Sequence, residues 1–403
     1  WMKDNPGTSV DFKGVTFDKQ GITKAAQSLQ SIVYEKKKEE LEPISFEGYI
    51  FNGDVDFSGA KFPTEANFKN TTFNGNANFS MATFEASAIF RNSAFNSDST
   101  FSCATFIGLA MFSEACFASS AIFATTSFGY WAYFPGATFN ENPKFSYAEF
   151  NNETNFMGAI FNCGIVYFDN IKSTSVFTFI GAITFKLKEI SFKGSSFDKD
   201  FIIGGYFNCI PDFRGTKLNH HTELSDLNHK LRRSRVTPFT PILRAVNKND
   251  AEKLCRLKEL AEQNKNHEKA LMFHADEMRA KRWTKLNTAQ SILDLLYSAT
   301  SSYGQSIIRP LLWLFLSFVL FSSYLVGKSE LEMREALSPA ATTSIATMTP
   351  FISVSKDARQ FGTGQLFKTN IPTNFYLWSY AHASASFVFI FLIGLGLRNR
   401  FRI

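Results

Sequence analysis

The chain has 403 residues, 46 of them Phe, and carries 42 Lys/Arg against 36 Asp/Glu, a formal net charge of +6. That balance is too weak for a nucleic-acid binder, and it is unevenly placed: residues 44–216 hold 10 Lys/Arg against 15 Asp/Glu, whereas residues 217–310 hold 17 against 10. The basic excess borders the apolar C-terminal segments, where it suits a membrane surface; no nucleic-acid partner is expected. The five cysteines form no CxxC pair, which argues for free thiols in a reducing compartment.

In chain order, residues 1–43 form an N-terminal segment. Within it, Ile22–Glu40 places Ala25, Ala26, Leu29, Ile32 and Val33 at helical spacing. A helix here would cap the open end of whatever follows. No secretory signal is recognisable ahead of the next region, so a cytosolic location is expected for it.

Over residues 44–216 Phe recurs in alternating steps of five and six: Phe46, Phe51, Phe57, Phe62, Phe68, Phe73, Phe79, and on to Phe156 and Phe161. A small residue stands two before most rings, as at Ala60, Ala66, Ala77, Ala82, Ala88, Ala104, Ala110, Ala121, Ala137, Ala148 and Ala159. Gly, Asn, Ser and Asp crowd the positions between, which is turn chemistry. An 11-residue period held over a hundred residues requires a chain that winds in equivalent coils, each offering the same side chain to the same interior slot. After Phe161 the register falters, with Phe168 seven later and Phe177 and Phe179 crowded together. A less regular end is expected there. Acidic residues such as Asp54, Asp56 and Glu65 fall on outward positions and read as solvated surface.

Blocks such as Phe57-Ser-Gly-Ala-Lys-Phe62 and Phe79-Ser-Met-Ala-Thr-Phe84 resemble the pentapeptide-repeat family in its Phe-centred form. The resemblance implies a right-handed quadrilateral β-helix, with the central residue and the small residue two before it both pointing inward. The six-residue step departs from the family's pattern and suggests coils of about 22 residues rather than about 20. Some members mimic DNA with a strongly negative rod; the weak charge here and the C-terminal segments argue against that use.

Residues 217–304 change period. Asp250–Gln263 and His267–Trp283 read as two helices about a turn at Asn264–Asn266, similar to one tetratricopeptide-type hairpin. They are read as a basic α-helical adaptor, with a partner groove as the alternative. His220, His221, His229, His267 and His274 match no standard ligand spacing, so neither metal nor cofactor is expected. Ala289–Ser298, apolar at Ile292, Leu293, Leu295 and Leu296 and preceded by Lys281, Arg282 and Lys285, has the character of an interfacial helix.

Residues 305–403 read as a two-helix transmembrane domain. Pro310–Gly327 and Phe375–Leu397 lack charge over lengths that cross a bilayer, giving spans at about 306–327 and 375–397. Arg309 before the first span, and Arg398, Arg400 and Arg402 after the second, place both termini in the cytoplasm by the positive-inside rule. Between the spans, residues 336–355 are uncharged but hold Thr342, Thr343, Ser344, Thr347, Thr349 and Pro350. Two readings stand: a re-entrant segment whose hydroxyls line a pore, or an extracytoplasmic loop. Tyr303, Gly304, Arg309 and Pro310 are candidate gate or hinge residues, with an ordinary helix-boundary glycine as the alternative reading of Gly304. His382 is ionisable within a span, hence a functional candidate, with Ser379 as its expected partner; a passive interfacial ring is the alternative.

Ser302-Tyr303-Gly304 through Arg309-Pro310, with the closing Gly394-Leu-Gly-Leu-Arg398, resembles bacterial membrane proteins that carry pentapeptide repeats ahead of two transmembrane helices. That resemblance implies a bacterial cytoplasmic (inner) membrane protein with its β-helix in the cytoplasm. No nucleophile–base pair, phosphate loop or metal cluster is present, so an enzyme is the least expected class. The leading expectation is a homo-oligomeric pore or channel-like assembly with the coil as assembly or sensing module, its partners being the bilayer and copies of itself. The alternatives are a membrane-anchored scaffold that binds a cytosolic protein on the coil, and a membrane-permeabilising defence effector.

Overall fold

The computed structural model describes residues 10–11, 43–235, 242–349, 352–368 and 370–401. The expected capping helix within 22–40 lies outside them. The chain divides into two compact units, Trp1–Ala280 and Lys281–Ile403.

The first unit is a parallel-strand β-solenoid of about eight turns. Each strand pairs with the strand one coil later, so successive strands feed four different sheets. The register is constant through the regular coils: Ala66 opposes Ala88, Ala88 opposes Ala110, and Ala110 opposes Ala132. The coil length inferred from the Phe spacing is therefore correct.

The alternation of five and six residues has a structural cause in the corners. In the five-residue step the chain turns tightly, with hydrogen bonds such as Ala60 N to Phe57 O (3.0 Å) and Ala82 N to Phe79 O (3.1 Å). The residue before the donor is left-handed: Gly59, Asn70, Met81, Asn92, Cys103, Glu114 and Thr125 all have φ between 56° and 67°. A bonded four-residue turn with positive φ at its third position is of type II. The six-residue corner carries one more residue and keeps φ negative. One tight and one wide corner make one period of the Phe spacing, and two such pairs close a coil.

Inside, the rings form four columns. Phe57, Phe79, Phe101, Phe123 and Phe145 stack at centroid spacings of 4.8–4.9 Å with interplanar angles of 1–12°. Phe62, Phe84, Phe106, Phe128 and Phe150 do the same at 4.7–5.1 Å. Between neighbouring columns the rings meet edge to face, as Phe79 and Phe90 do at 86°, a favourable arrangement for aromatic quadrupoles. The inward pairing of ring and small residue holds: Ala60 and Phe62, like Ala66 and Phe68, are fully buried. Where the small slot holds a hydroxyl it is satisfied by backbone: Thr71 donates to Phe46 O and Thr126 to Phe101 O, both at 2.7 Å.

The irregular end follows from register. The pairing step is one residue longer at Glu149–Lys172 and two longer at Ile165–Glu189 and Phe177–Phe201, then one shorter at Ser196–Lys217. One column nevertheless runs on through Phe145, Phe168, Phe192 and Phe213 at 4.8–5.1 Å. Strand pairing also continues past the expected boundary at 216, through Thr222–Glu223 and Leu227–His229.

Helices α1 (Asp250–Gln263) and α2 (His267–Lys281) join the same core through Leu254, Leu257, Leu260 and Phe273. They cap the last coils. Arg256 Nη2 donates to Thr216 O (2.8 Å), Lys269 Nζ to Leu227 O (2.7 Å), and Asn264 accepts from Thr222 N (3.0 Å). Those bonds occupy backbone groups that an open coil edge would otherwise present.

The second unit contains α3 (Thr288–Ser301), α4 (Ile308–Lys328), α5 (Met333–Met348), α6 (Ser353–Phe367) and α7 (Phe375–Phe401). Helices α4 and α7 are long and apolar enough to cross a membrane, and only 17% and 22% of their apolar windows are buried, too little for core helices of a soluble domain.

Candidate functional site

The site grows from the segment between the two candidate spans. Helix α5 begins shortly after α4 ends and turns back along it. Ala336 and Ala340 pack with Phe321 and Leu325. Its buried face includes Ala336, Pro339, Ala340, Thr343, Ser344 and Thr347, small residues that let helix backbones approach closely. Helix α6 runs back beside it. A Cβ on Gly362 would lie 2.2 Å from Thr343 Oγ1 and 2.9 Å from Pro339 O, so this hairpin tolerates only glycine there.

The hairpin starts and ends at one place. Glu330 N and Ser329 Oγ both donate to Leu366 O (3.2 Å each). Ser317, counted back from Lys328, and Ser344, counted on from Met333, stand equally far from the α4–α5 connection. At about 1.5 Å per residue, the hairpin therefore runs roughly 16 Å alongside the candidate spans to reach Ser317, and its tip goes further.

At that depth His382 of α7 joins the three helices. Its Nδ1 is 2.8 Å from Ser317 Oγ, and its Nε2 is 3.2 Å from Ser344 Oγ and 3.4 Å from Ser344 O. Phe321 stacks on the ring at 4.5 Å. The expected partner, Ser379, is buried, but its hydroxyl has no hydrogen-bond partner among the described residues. The sequence alone could not single out Ser317, because nothing in its spacing distinguishes it from Ser322 and Ser323 of the same helix.

The candidate pore hydroxyls are distributed as follows. Thr343, Ser344 and Thr347 are buried inside the unit. Thr343 donates to Pro339 O and Thr347 to Thr343 O, both at 2.7 Å. Thr342 donates to Ser338 O (3.0 Å), and Thr349 to Ile345 O (3.2 Å) while lying 3.0 Å from Ser355 Oγ at the tip. Hydroxyls folded onto the carbonyl four residues back are how polar residues survive at apolar depth. Pro350 lies outside the described residues. Helix α6 presents Lys356, Asp357, Arg359 and Gln360 outward, a charged face that begins just beyond the uncharged residues 336–355.

The hinge candidates lie together at the start of α4. Ser302, Tyr303 and Gly304 are consecutive left-handed residues, with φ of 50°, 59° and 73°. Tyr303 is buried, its hydroxyl 2.8 Å from Arg282 Nη2 and 3.1 Å from Asp294 Oδ2. Asn399 Nδ2 donates to Gly304 O (3.0 Å), and a Cβ on Gly304 would meet Leu395 at 2.8 Å. The joint is clamped to α7. Arg309 Nη1 reaches Ser298 O (3.0 Å), and Pro310 is buried in the first turn of α4, where its missing N–H breaks no helical bond.

In the first unit the titratable groups gather where α1 and α2 cap the coil. Lys253 Nζ lies 3.3 Å from Glu189 Oε1 and 4.0 Å from Asp212 Oδ2. Burial pushes the Asp250 carboxyl up to about 6 against the pull of Lys253. Burial acts the same way on Asp212 and Asp276, but hydrogen bonds from Arg214, and from His229 and Arg279, hold both below the ordinary carboxylate range. The buried thiols of Cys163 and Cys209 are raised by burial to about 11 and about 12 and are unreactive near neutrality. Among the described residues no group of three or more His, Cys, Asp or Glu could hold a metal ion.

A family model described as pentapeptide repeats (9 copies) matches residues 41–80. No curated protein and no solved structure matches the chain. The matched region coincides with the first coils, and the four-faced stacking of Phe continues unchanged beyond it. This solenoid is generally a structural or scaffold fold. The chain thus carries a pentapeptide-repeat match at residues 41–80 within a β-solenoid, followed in the same polypeptide by a helical region with two candidate membrane spans.

Proposed function

We propose that the protein is a homo-oligomeric membrane pore, with the β-solenoid as its cytosolic assembly or sensing module and a bacterial cytoplasmic membrane as its setting. The observation that supports this most is the α5–α6 hairpin. It enters and leaves at one end of the candidate spans, reaches past Ser317, and turns Lys356, Asp357, Arg359 and Gln360 outward on its returning helix. If α4 and α7 cross the bilayer, those side chains stand at membrane depth. Charged groups there require water or protein. Two spans cannot enclose water, so several copies would have to surround it. The proposed lining is the polar face of α6 with the partly exposed Thr342 and Thr349, while Thr343, Ser344, Thr347 and His382 brace the hairpin from behind.

The test is conductance of the purified full chain in planar bilayers, with the oligomeric state measured in parallel. Lys356 and Arg359 outnumber Asp357, so a preference for anions is expected, and Lys356→Glu with Arg359→Glu should invert it. Absence of conductance from a monomeric particle would overturn the pore.

A second reading, the membrane-anchored scaffold, is supported by the outer surface of the coil. Ile89, Met111 and Tyr133 fall in one column of the sheet, beside Trp131 stacked on Tyr130 at 5.1 Å. An aromatic patch of this kind suits a protein partner. Under this reading, deleting residues 336–355 leaves partner capture intact.

A further inference from the structure

Helix α3 is inside out. The side chains it buries are Ser291, Asp294 and Ser301. Those it exposes are Ile292 (48%), Leu293 (66%), Leu295 (46%) and Leu296 (55%). A helix on a water-facing surface does the reverse. The polar face is held inward by specific bonds: Asp294 Oδ2 accepts from Arg282 Nε at 2.6 Å and from the Tyr303 hydroxyl, and Ser291 Oγ accepts from Trp283 N at 3.2 Å. Ser301 Oγ accepts from Gly304 N at 3.1 Å. The capping box at Asn287 and Gln290 starts the helix cleanly, so its orientation is built in.

Two further features say what covers the apolar face. The helix leads directly into α4 through the clamped turn at Ser302–Gly304, so it lies at the end of a candidate span. Exposed cations flank it as well. Arg309 is bonded to its carbonyl at Ser298, Lys285 precedes its first turn, and the charge of Arg398 acts on Tyr297, partly offsetting the rise that burial gives that phenol. Apolar side chains ringed by cations complement one surface in particular.

We infer that α3 is a membrane-interface helix that sinks Ile292, Leu293, Leu295 and Leu296 into the headgroup–acyl boundary, while Arg309, Arg398 and Lys285 bind the phosphates of anionic phospholipids. The inference rests on the reading of α4 as a span, but not on the pore.

The experiment uses the full chain reconstituted in vesicles of phosphatidylcholine with and without phosphatidylglycerol. Cys103, Cys116 and Cys255 are replaced by Ser, and the buried, unreactive thiols stay. Nitroxides are then attached at Leu293→Cys, Ile292→Cys, Gln290→Cys and, within α4, Leu316→Cys. Expected for 292 and 293 is high accessibility to oxygen, shielding from a water-soluble nickel complex, and a depth of about 5–10 Å below the phosphates. Gln290→Cys should read closer to water. Nickel accessibility at 292 and 293 would overturn the inference, as would shielding from both reagents, which would place a second copy or another segment on this face. The label at 316 keeps the two readings apart, because an oxygen-accessible 316 with a water-accessible 293 overturns this proposal alone. Spin-labelled phosphatidylglycerol should associate more strongly than spin-labelled phosphatidylcholine, and Arg309→Gln and Arg398→Gln should each weaken that preference about fivefold, the equivalent of about 1 kcal/mol per cation. Equal association of the two lipids would remove the headgroup part.

Discussion

The two units bury opposite things. In the regular coils the interior slots hold Phe rings and small side chains, and each coil repeats the last in register. In the helical unit the buried positions of α5 and α7 are mostly Ala, Ser, Thr, Gly and His, while most Leu, Ile, Phe and Trp point outward. The difference is the one expected between a coil in water and helices among lipid, the setting proposed for α4 and α7. A coil in water is driven together by burying apolar area. Helices among lipid tails gain nothing by that and rely on close approach and internal hydrogen bonds.

The largest expected effect attacks the coil side of this comparison. Phe101→Ala removes a fully buried ring stacked on both sides, at 4.9 Å from Phe79 and 4.8 Å from Phe123. It should destabilise the solenoid by about 3–5 kcal/mol in denaturant titrations. Phe185, 69% exposed, should tolerate Ala within about 0.5 kcal/mol. Similar losses at both positions would mean the columns are not the source of stability.

Next comes the capped end of the coil. Asp250 is 6% exposed, and its folded pKa of about 6 stands above its ordinary value of 3.8. The folded state therefore binds this proton more tightly than the unfolded chain, and stability rises as pH falls from 7 toward 4. Asp212 and Asp276 are held low, so what they contribute is present above their ordinary range and is lost as pH drops below about 4. The cap should be most stable between about pH 4 and 6. Asp250→Asn should flatten the upper slope and raise stability at pH 7 by up to about 3 kcal/mol. Amide exchange in α1 as a function of pH would report it; a slope unchanged by Asp250→Asn refutes the assignment.

In the helical unit, small-to-large substitution should hurt more than loss of a large side chain. Gly362→Val should open the α5–α6 hairpin, at about 1–3 kcal/mol, visible as faster exchange at Thr343–Thr347 with the solenoid unchanged. Phe387→Ala, on the outward face of α7, should leave exchange there unaltered. The smallest effect lies in a corner of the coil. Thr125 is a β-branched residue at φ 58°, and Thr125→Gly should stabilise by about 1 kcal/mol by relieving it. A loss of stability would show that the turn is not strained.

Much of the coil is legible from spacing alone, because its core is periodic and each ring reports its own slot. Even the length of a coil follows from counting. What counting misses is the reason for the five–six alternation, since the left-handed corners are occupied by Met81, Cys103, Glu114 and Thr125 as readily as by Gly59. A propensity reading flags only the glycine and the asparagines. The helix pair after the coil shows a similar gap: Leu254, Leu257 and Phe273 announce amphipathic helices, but only the bonds from Arg256 and Lys269 to coil carbonyls identify them as its cap.

The repeat, the length of a coil and the existence of two long apolar helices are legible in the amino-acid sequence. These are properties of spacing and composition, which survive without knowledge of what touches what. Only packing shows that residues 333–367 fold back as a hairpin and that His382 meets Ser317 and Ser344 rather than Ser379, and it leaves outside the apolar residues that the sequence singles out at 289–298. Each of those depends on which faces of separate helices meet. A single hydroxyl or imidazole carries no periodic signal that could announce a partner on a distant helix.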